Sequence, residues 1–184
     1  MLEQTNPYAH RRIAIDGRLD VQPAADCARF NLRFAPEKRE MAENALGLAL
    51  PAKIGLMAEK NGFTAACIGP DEWYILADED KASALIAASE KLYAAEPHSL
   101  VDISHRETGI ELKGREAAWL LNAALPVNLE EMAAPGAART IFDRVQIILL
   151  KYASEHYRIE VWNSFGDHVW TLLETASHEV ELSI

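Results

Sequence analysis

The sequence predicts an α+β fold, a largely antiparallel sheet with helices packed on it. Three observations predict it: short runs alternate apolar and polar residues with the two-residue period of a strand, helical stripes follow several of them, and tight turns join neighbouring strand runs. Between residues 27 and 104 the order is strand, helix, strand, strand, helix, strand, that of a ferredoxin-like unit.

Residues 1–26 mix charges with Pro7, Gly17 and Pro23 and hold no sustained period, which predicts an extended N-terminal arm, either mobile or bound to something. In CARFNLRF, Phe30, Leu32 and Phe34 alternate with Arg29, Asn31 and Arg33, so the first strand has one wet face. Pro36 suits a first helical position, and the helix it opens is expected to turn Met41, Ala45, Leu48 and Ala49 inward and to end at Pro51. TAACIG and EWYILA read as two strands joined by a turn at Gly69-Pro70-Asp71. DEDKASALIAASEKLY places Ala82, Leu85, Ile86, Ser89, Leu92 and Tyr93 on one stripe, with acids at its start where the helix dipole favours them.

SLVDIS closes this half as a strand, and a related pattern follows it. ETGIELKG leads into the helical REAAWLLNAAL, whose Ala117, Leu120, Leu121 and Ala124 face one way. RVQIILLKYA and HYRIEVWN then lead into a last helix opened by Ser164, with Asp167 three residues on as in a capping box. Its expected buried stripe is Phe165, Val169, Leu172, Leu173 and Ala176. The organisation expected is the arm 1–26 and a single α+β domain 27–184, divided into a ferredoxin-like half 27–104 and a second half 105–184.

The chain has 184 residues, enough to bury about 70% of the surface its unfolded form exposes. A formal net charge of −10 repels phosphate backbones and argues against a nucleic-acid partner. The first residues hold no apolar core of a signal peptide and no window reaches the length of a membrane span, so a cytoplasmic protein without membrane attachment is expected. Cys27 and Cys67 sit in apolar runs without CxxC spacing and read as buried thiols.

The stretch VDISHR, residues 101–106, sets Asp102, Ser104, His105 and Arg106 side by side. A Ser-His-Asp hydrolase needs the serine oxygen within hydrogen-bond reach of the imidazole, yet neighbours on a strand point to opposite faces. The polar cluster therefore reads as a hairpin corner, with His105 and Arg106 able to reach a ligand or partner from it. His98, Asp102 and His105, or His156 and Glu160, lack the spacing of a metal set, and the scattered glycines build no phosphate loop. Trp73, Trp119, Trp162 and Trp170 read as core anchors, with Trp170 at the margin of its helical stripe where it can meet a partner chain.

VDISHRETGIELKGREAAWLL resembles the DVSH segment and following strand, turn and helix of folate-dependent aminomethyltransferases of the glycine cleavage type. NPYAH at 6–10, ALGLALP at 45–51, IGPDEWYILA at 68–77, LPVNL at 125–129, PGAART at 135–140 and NSFGDHVWTLLE at 163–174 resemble, in order, the gamma subunits of heterotetrameric sarcosine oxidase. The resemblance implies a reduced folate-binding-type fold in a complex that oxidatively demethylates sarcosine to glycine and can pass the one-carbon unit to tetrahydrofolate. It implies alpha, beta and delta subunits as partners, FAD, FMN and NAD on the larger ones and zinc on the smallest. It assigns no catalytic, cofactor-binding or metal residue to this chain. Tyr8 and His10 of the arm, with His105, Arg106 and Trp170, are the candidate partner or ligand contacts. The alternative is a stand-alone tetrahydrofolate-binding or one-carbon transfer protein, in which Arg106 would pair with a folate carboxylate.

Overall fold

The computed structural model describes residues 7 to 182, so the first residues of the expected arm, Asn6 of its motif included, lie outside the described residues. The strands are β1 (Ile13–Ile15), β2 (Leu19–Pro23), β3 (Ala28–Arg33), β4 (Met57–Lys60), β5 (Phe63–Gly69), β6 (Glu72–Ala77), β7 (Ser99–Asp102), β8 (Glu107–Lys113), β9 (Gly136–Phe142), β10 (Val145–Ala153) and β11 (His156–Trp162). The helices are α1 (Arg39–Leu46), α2 (Ala82–Tyr93), α3 (Ala117–Asn122) and α4 (Asn163–Leu182). The chain divides into two compact units, one of residues 27–104 with 133–138, the other of the remainder.

The first unit carries a five-stranded sheet in the order β4-β5-β6-β3-β7. Setting β4 aside, this is the strand order of a ferredoxin-like unit, antiparallel throughout. Phe30, Leu32 and Phe34 pack with Ala42 and Leu46 of α1 and Leu85 and Leu92 of α2. The helical phase differs from the expected one. Gly47, at φ 71, caps α1 in the left-handed conformation and ends it before Pro51, so Ala42 and Leu46 face inward while Met41 and Ala45 are exposed. In α2, Leu85, Ser89 and Leu92 are buried and Ile86 and Tyr93 stay outside. The unforeseen strand β4 pairs with β5 across Asn61-Gly62, whose φ values of 56 and 78 fit a type I′ hairpin turn.

The second unit carries a six-stranded sheet in the order β1-β2-β8-β11-β10-β9. Beside β8, strand β2 occupies the slot that β7 occupies beside β3 in the first unit. The expected extended arm is thus a β-hairpin over residues 13–23, and the reason is the sheet: without β2, strand β8 would be an open edge. Val21 pairs with Leu112 and Pro23, which has no N–H to donate, closes the ladder opposite Ile110. Leu19, Val21, Ile110, Leu112, Ile147, Leu149, Tyr157, Ile159 and Val161 supply the sheet side of the core, against Leu120 and Leu121 of α3 and Val169, Trp170 and Leu173 of α4. Buried Lys151 extends beneath the 129–132 loop and donates to the carbonyls of Leu129 and Met132, at 2.6 and 2.9 Å.

Glycine is required at 109. A Cβ there would lie 2.8 Å from Ala24 Cβ and 2.9 Å from both Arg158 Nη2 and Glu160 Oε1, an ion pair reaching across from β11. Further along the same two strands, Glu111 accepts from His156 at 2.8 Å and from Lys113 at 3.1 Å. Burial pushes its carboxyl upward, but His156 and Lys113 outweigh that and leave it below the usual carboxylate range.

Two outcomes are expected. Val21→Ala, at a site with no exposed surface, costs about 2 kcal/mol and lowers Tm by roughly 4–8 °C; an unchanged melting curve would contradict a hairpin built into the sheet. Because the folded-state pKa of Glu111 is depressed, its stabilisation is fully present above its ordinary value of 4.5 and is lost as pH falls through the lower folded value. Glu111→Gln is therefore expected to flatten the acid limb of a stability-against-pH curve, measured by urea midpoints, below about pH 5.

Candidate functional site

In the first unit the DIS portion of the corner satisfies itself. Ser104 donates its hydroxyl to Asp102 Oδ1 at 2.6 Å and its backbone N–H to the same oxygen at 2.9 Å, while its Oγ accepts from the Arg29 N–H. The carboxylate holds the serine in a turn and the serine terminates a backbone donor, so the hydroxyl is committed to structure.

In the second unit His105 and Arg106 are exposed, and they are fixed through their backbones. The organiser is Asn163, the first residue of α4. Its side-chain amide donates to the His105 carbonyl at 2.9 Å, its backbone N–H donates to the Arg106 carbonyl at 2.9 Å, and its own carbonyl accepts from the Tyr8 hydroxyl at 3.1 Å. Three segments distant in sequence meet at this asparagine.

Tyr8 is buried, its ring set against Gly166, where a Cβ would come 2.4 Å from the phenolic oxygen. Burial and the nearby Asp167 raise the phenol above its ordinary range against the lowering influence of Arg11, so it stays a hydrogen-bond donor. The Arg11 guanidinium lies 5.9 Å from the centre of that ring and bonds Asp167 at 2.9 Å, which fastens the arm to α4 a second time. His10 is exposed and lines a surface hollow of about 440 Å³ with Arg11, Arg12, Gln22 and Asp26. Both arginines there already face carboxylates, Arg11 on Asp167 and Arg12 on Asp20 at 2.9 and 3.1 Å.

On the outer surface of the same corner, the Arg106 guanidinium lies 5.4 Å from the centre of the Trp162 ring. Its Nε and Nη2 both donate to Glu107 Oε1, at 3.2 and 2.7 Å. The Phe165 ring stands 6.4 Å from that of Trp162, and both are more than two-fifths exposed. The expected α4 stripe holds at Val169 and Leu173, which are buried, and at Leu172 and Ala176, which pack against the core, but not at Phe165. Its buried face runs through Gly166, Val169, Trp170, Leu173, Ser177 and Val180, so Trp170 is fully enclosed and has no surface for a partner, while Phe165 points away from the core. Beginning the helix at Asn163 with Gly166 against Tyr8 sets this phase. Trp119 and Trp162, expected as core anchors, are also substantially exposed; Trp73 is buried.

Sequence reasoning passed over Asn163, whose only signal is an amide at the strand-to-helix step. Among the described residues no three His, Cys, Asp or Glu side chains converge as a metal set. His98 Nδ1 instead donates to the Glu96 carbonyl at 2.8 Å while its Nε2 meets the Ser89 hydroxyl at 2.8 Å, and His156 faces Glu111.

Two antiparallel sheets with helices, the first ferredoxin-like in strand order, make up a chain with an aminomethyltransferase-like fold. The structure superposes on aminomethyltransferase T of the glycine cleavage system from Bartonella henselae with a TM-score of 0.67 and 15% identity, over 85% of this chain and 45% of that one. On a chain of heterotetrameric sarcosine oxidase from Corynebacterium sp. U-96 in complex with pyrrole 2-carboxylate, the TM-score is 0.84 at 24% identity, over 95% of this chain and 91% of that one. The profile of the sarcosine oxidase gamma subunit family matches residues 34–179, and the chain belongs to that family. Sarcosine oxidase subunit gamma of Corynebacterium sp. (strain U-96) is 28% identical over 89% of this chain and 84% of its own length. That of an Arthrobacter species is 27% identical over 67% of this chain and 62% of its own length.

The contact between Tyr8 and Gly166 makes a signed prediction. Gly166→Ala is expected to destabilise by about 1–3 kcal/mol through overpacking. In a Tyr8→Ala background the same change is expected to stabilise by about 1 kcal/mol, as alanine does for glycine in a helix. Thermal melts of the four proteins read the cycle, and additivity would refute the contact.

Proposed function

We propose that this chain is the gamma subunit of a heterotetrameric sarcosine oxidase, the complex that oxidatively demethylates sarcosine to glycine, and that it acts there as a structural subunit without an active site of its own. The single observation that carries this is the family match over residues 34–179. On this reading its partners are the alpha, beta and delta subunits, and its compartment is the cytoplasm. No helix among the described residues is long and apolar enough to cross a membrane.

The complex is expected to use FAD, FMN, NAD and tetrahydrofolate, none of them bound by this chain alone. On this reading no step of the chemistry is assigned to these residues. Their task is to shape and hold surface.

The alternative, a stand-alone tetrahydrofolate-binding or one-carbon transfer protein, draws on the aminomethyltransferase-like fold, but this chain spans only 45% of the aminomethyltransferase it superposes on. Co-expression with the other three subunits separates the readings. The expected result is co-elution of the chain with flavin absorbance in one assembled peak. Elution apart from the flavin, together with heat on titrating the isolated chain with tetrahydrofolate, would favour the alternative.

A further inference from the structure

We propose that Arg106, Trp162 and Phe165 form a docking face through which this chain seats against another subunit of its complex, and that the occupant is an apolar segment of that subunit carrying a carboxylate. The inference rests on the gamma-subunit reading above and adds to it the surface and the chemistry of the partner.

The argument starts from where these side chains stand. Trp162 is the last residue of β11, paired across the ladder with Glu107, and Phe165 lies in the first turn of α4. Trp162 is 43% exposed and Phe165 44%, and their rings are neighbours at 6.4 Å. The helix had an inward phase available and uses it for Val169, Trp170 and Leu173. Phe165 and Trp162 thus remain outside on the same short stretch of chain, leaving a paired aromatic surface in water.

The face is also rigid. Trp162 is held by the sheet ladder, and the Arg106 carbonyl is held by the Asn163 N–H, so the three side chains spring from hydrogen-bonded backbone at 106, 162 and 165. A partner that binds here orders few side chains on this side, which keeps the entropic cost of docking low.

Charge selects the occupant. The chain carries 28 acidic and 18 basic residues, yet the group laid over the exposed indole is a cation. Arg106 offers Nε and Nη2 to Glu107, whose side chain is only 5% exposed, while its own is 48% exposed. The Nη1 side of the guanidinium has no hydrogen-bond partner among the described residues. An arriving carboxylate can bond that side while apolar atoms cover the two rings. Arg and Trp, with a neighbouring Phe, are the residue types that concentrate binding energy at protein interfaces. A nucleic acid or a second copy of this chain fits less well, since either brings net negative charge to a chain of net charge −10.

The test uses the assembled complex. Tagged wild-type chain is co-expressed with the other three subunits, and the affinity of the purified chain for the remaining complex is measured by surface plasmon resonance. Trp162→Ala and Phe165→Ala are each expected to weaken binding by roughly 30-fold. Arg106→Glu is expected to abolish it, Arg106→Lys to retain most of it, and Trp119→Ala, at another exposed tryptophan, to leave it unchanged. Circular dichroism melts establish that the variants are folded. Phe165→Ser, at an exposed helical position, serves if Trp162→Ala does not fold. Binding by the Trp162 and Phe165 variants at wild-type affinity overturns the docking face while leaving the gamma-subunit reading intact. Failure of the wild-type chain itself to bind overturns that reading instead. A wild-type homodimer in sedimentation that Trp162→Ala dissociates would make a second copy the occupant and overturn the proposal.

Discussion

The pairing of β2 with β8 is the constraint on which the six-stranded unit depends. Strand β8 bonds β11 on one side, and its other side is filled by residues from the start of the chain. That closure satisfies a row of backbone donors and acceptors that would otherwise stay unpaired. It also places Leu19 and Val21 beside Ile110 and Leu112 in the core. Once β2 is seated, the short segment before it is brought to the first turn of α4, where Tyr8 reaches the Asn163 carbonyl. Asn163 in turn fixes the carbonyls of His105 and Arg106. The exposed arginine and aromatics at that corner are thus displayed from a frame whose last member is the N-terminal hairpin.

Much of this frame was legible in the sequence. The alternation of Phe30, Leu32 and Phe34 marked an interior strand of the first sheet, and the paired runs joined at Gly69-Pro70-Asp71 marked its hairpin, because both signals are local. The N-terminal hairpin is not legible locally although Leu19-Asp20-Val21-Gln22 alternates, since a four-residue alternation beside Gly17 and Pro23 gains weight only from the strand it pairs with. Asn61-Gly62 announced the β4–β5 hairpin by turn chemistry that the hydrophobic pattern of Met57–Lys60 does not support. Boundaries were harder than periods: Gly47 ends α1 early and turns a plausible stripe by one residue, exposing Met41 and burying Ala42.

The corner at 101–106 was legible as structure and less so as surface. That Ser104 and His105 diverge follows from strand geometry, and the structure gives Ser104 to Asp102. The phase of α4 was legible only in part: Val169 and Leu173 of the expected stripe are buried, but an apolar pattern that also holds Phe165 and Trp170 admits more than one inward edge. Phe165 is kept off the inward edge where Gly166 meets the ring of Tyr8, a residue whose hydroxyl bonds Asn163 across 155 positions of sequence. A contact of that separation leaves no trace in any local window.

That same separation orders events in the life of the chain. Residues 27–104 hold all the strands of the ferredoxin-like arrangement of the first unit in one continuous stretch, so its sheet can form as soon as that stretch has left the ribosome. The second unit cannot close until Asn163 and Gly166 have been synthesised, while its hairpin, made first, waits for a sheet that is made last. Tyr8 therefore finds its place only after the chain has been made through Gly166.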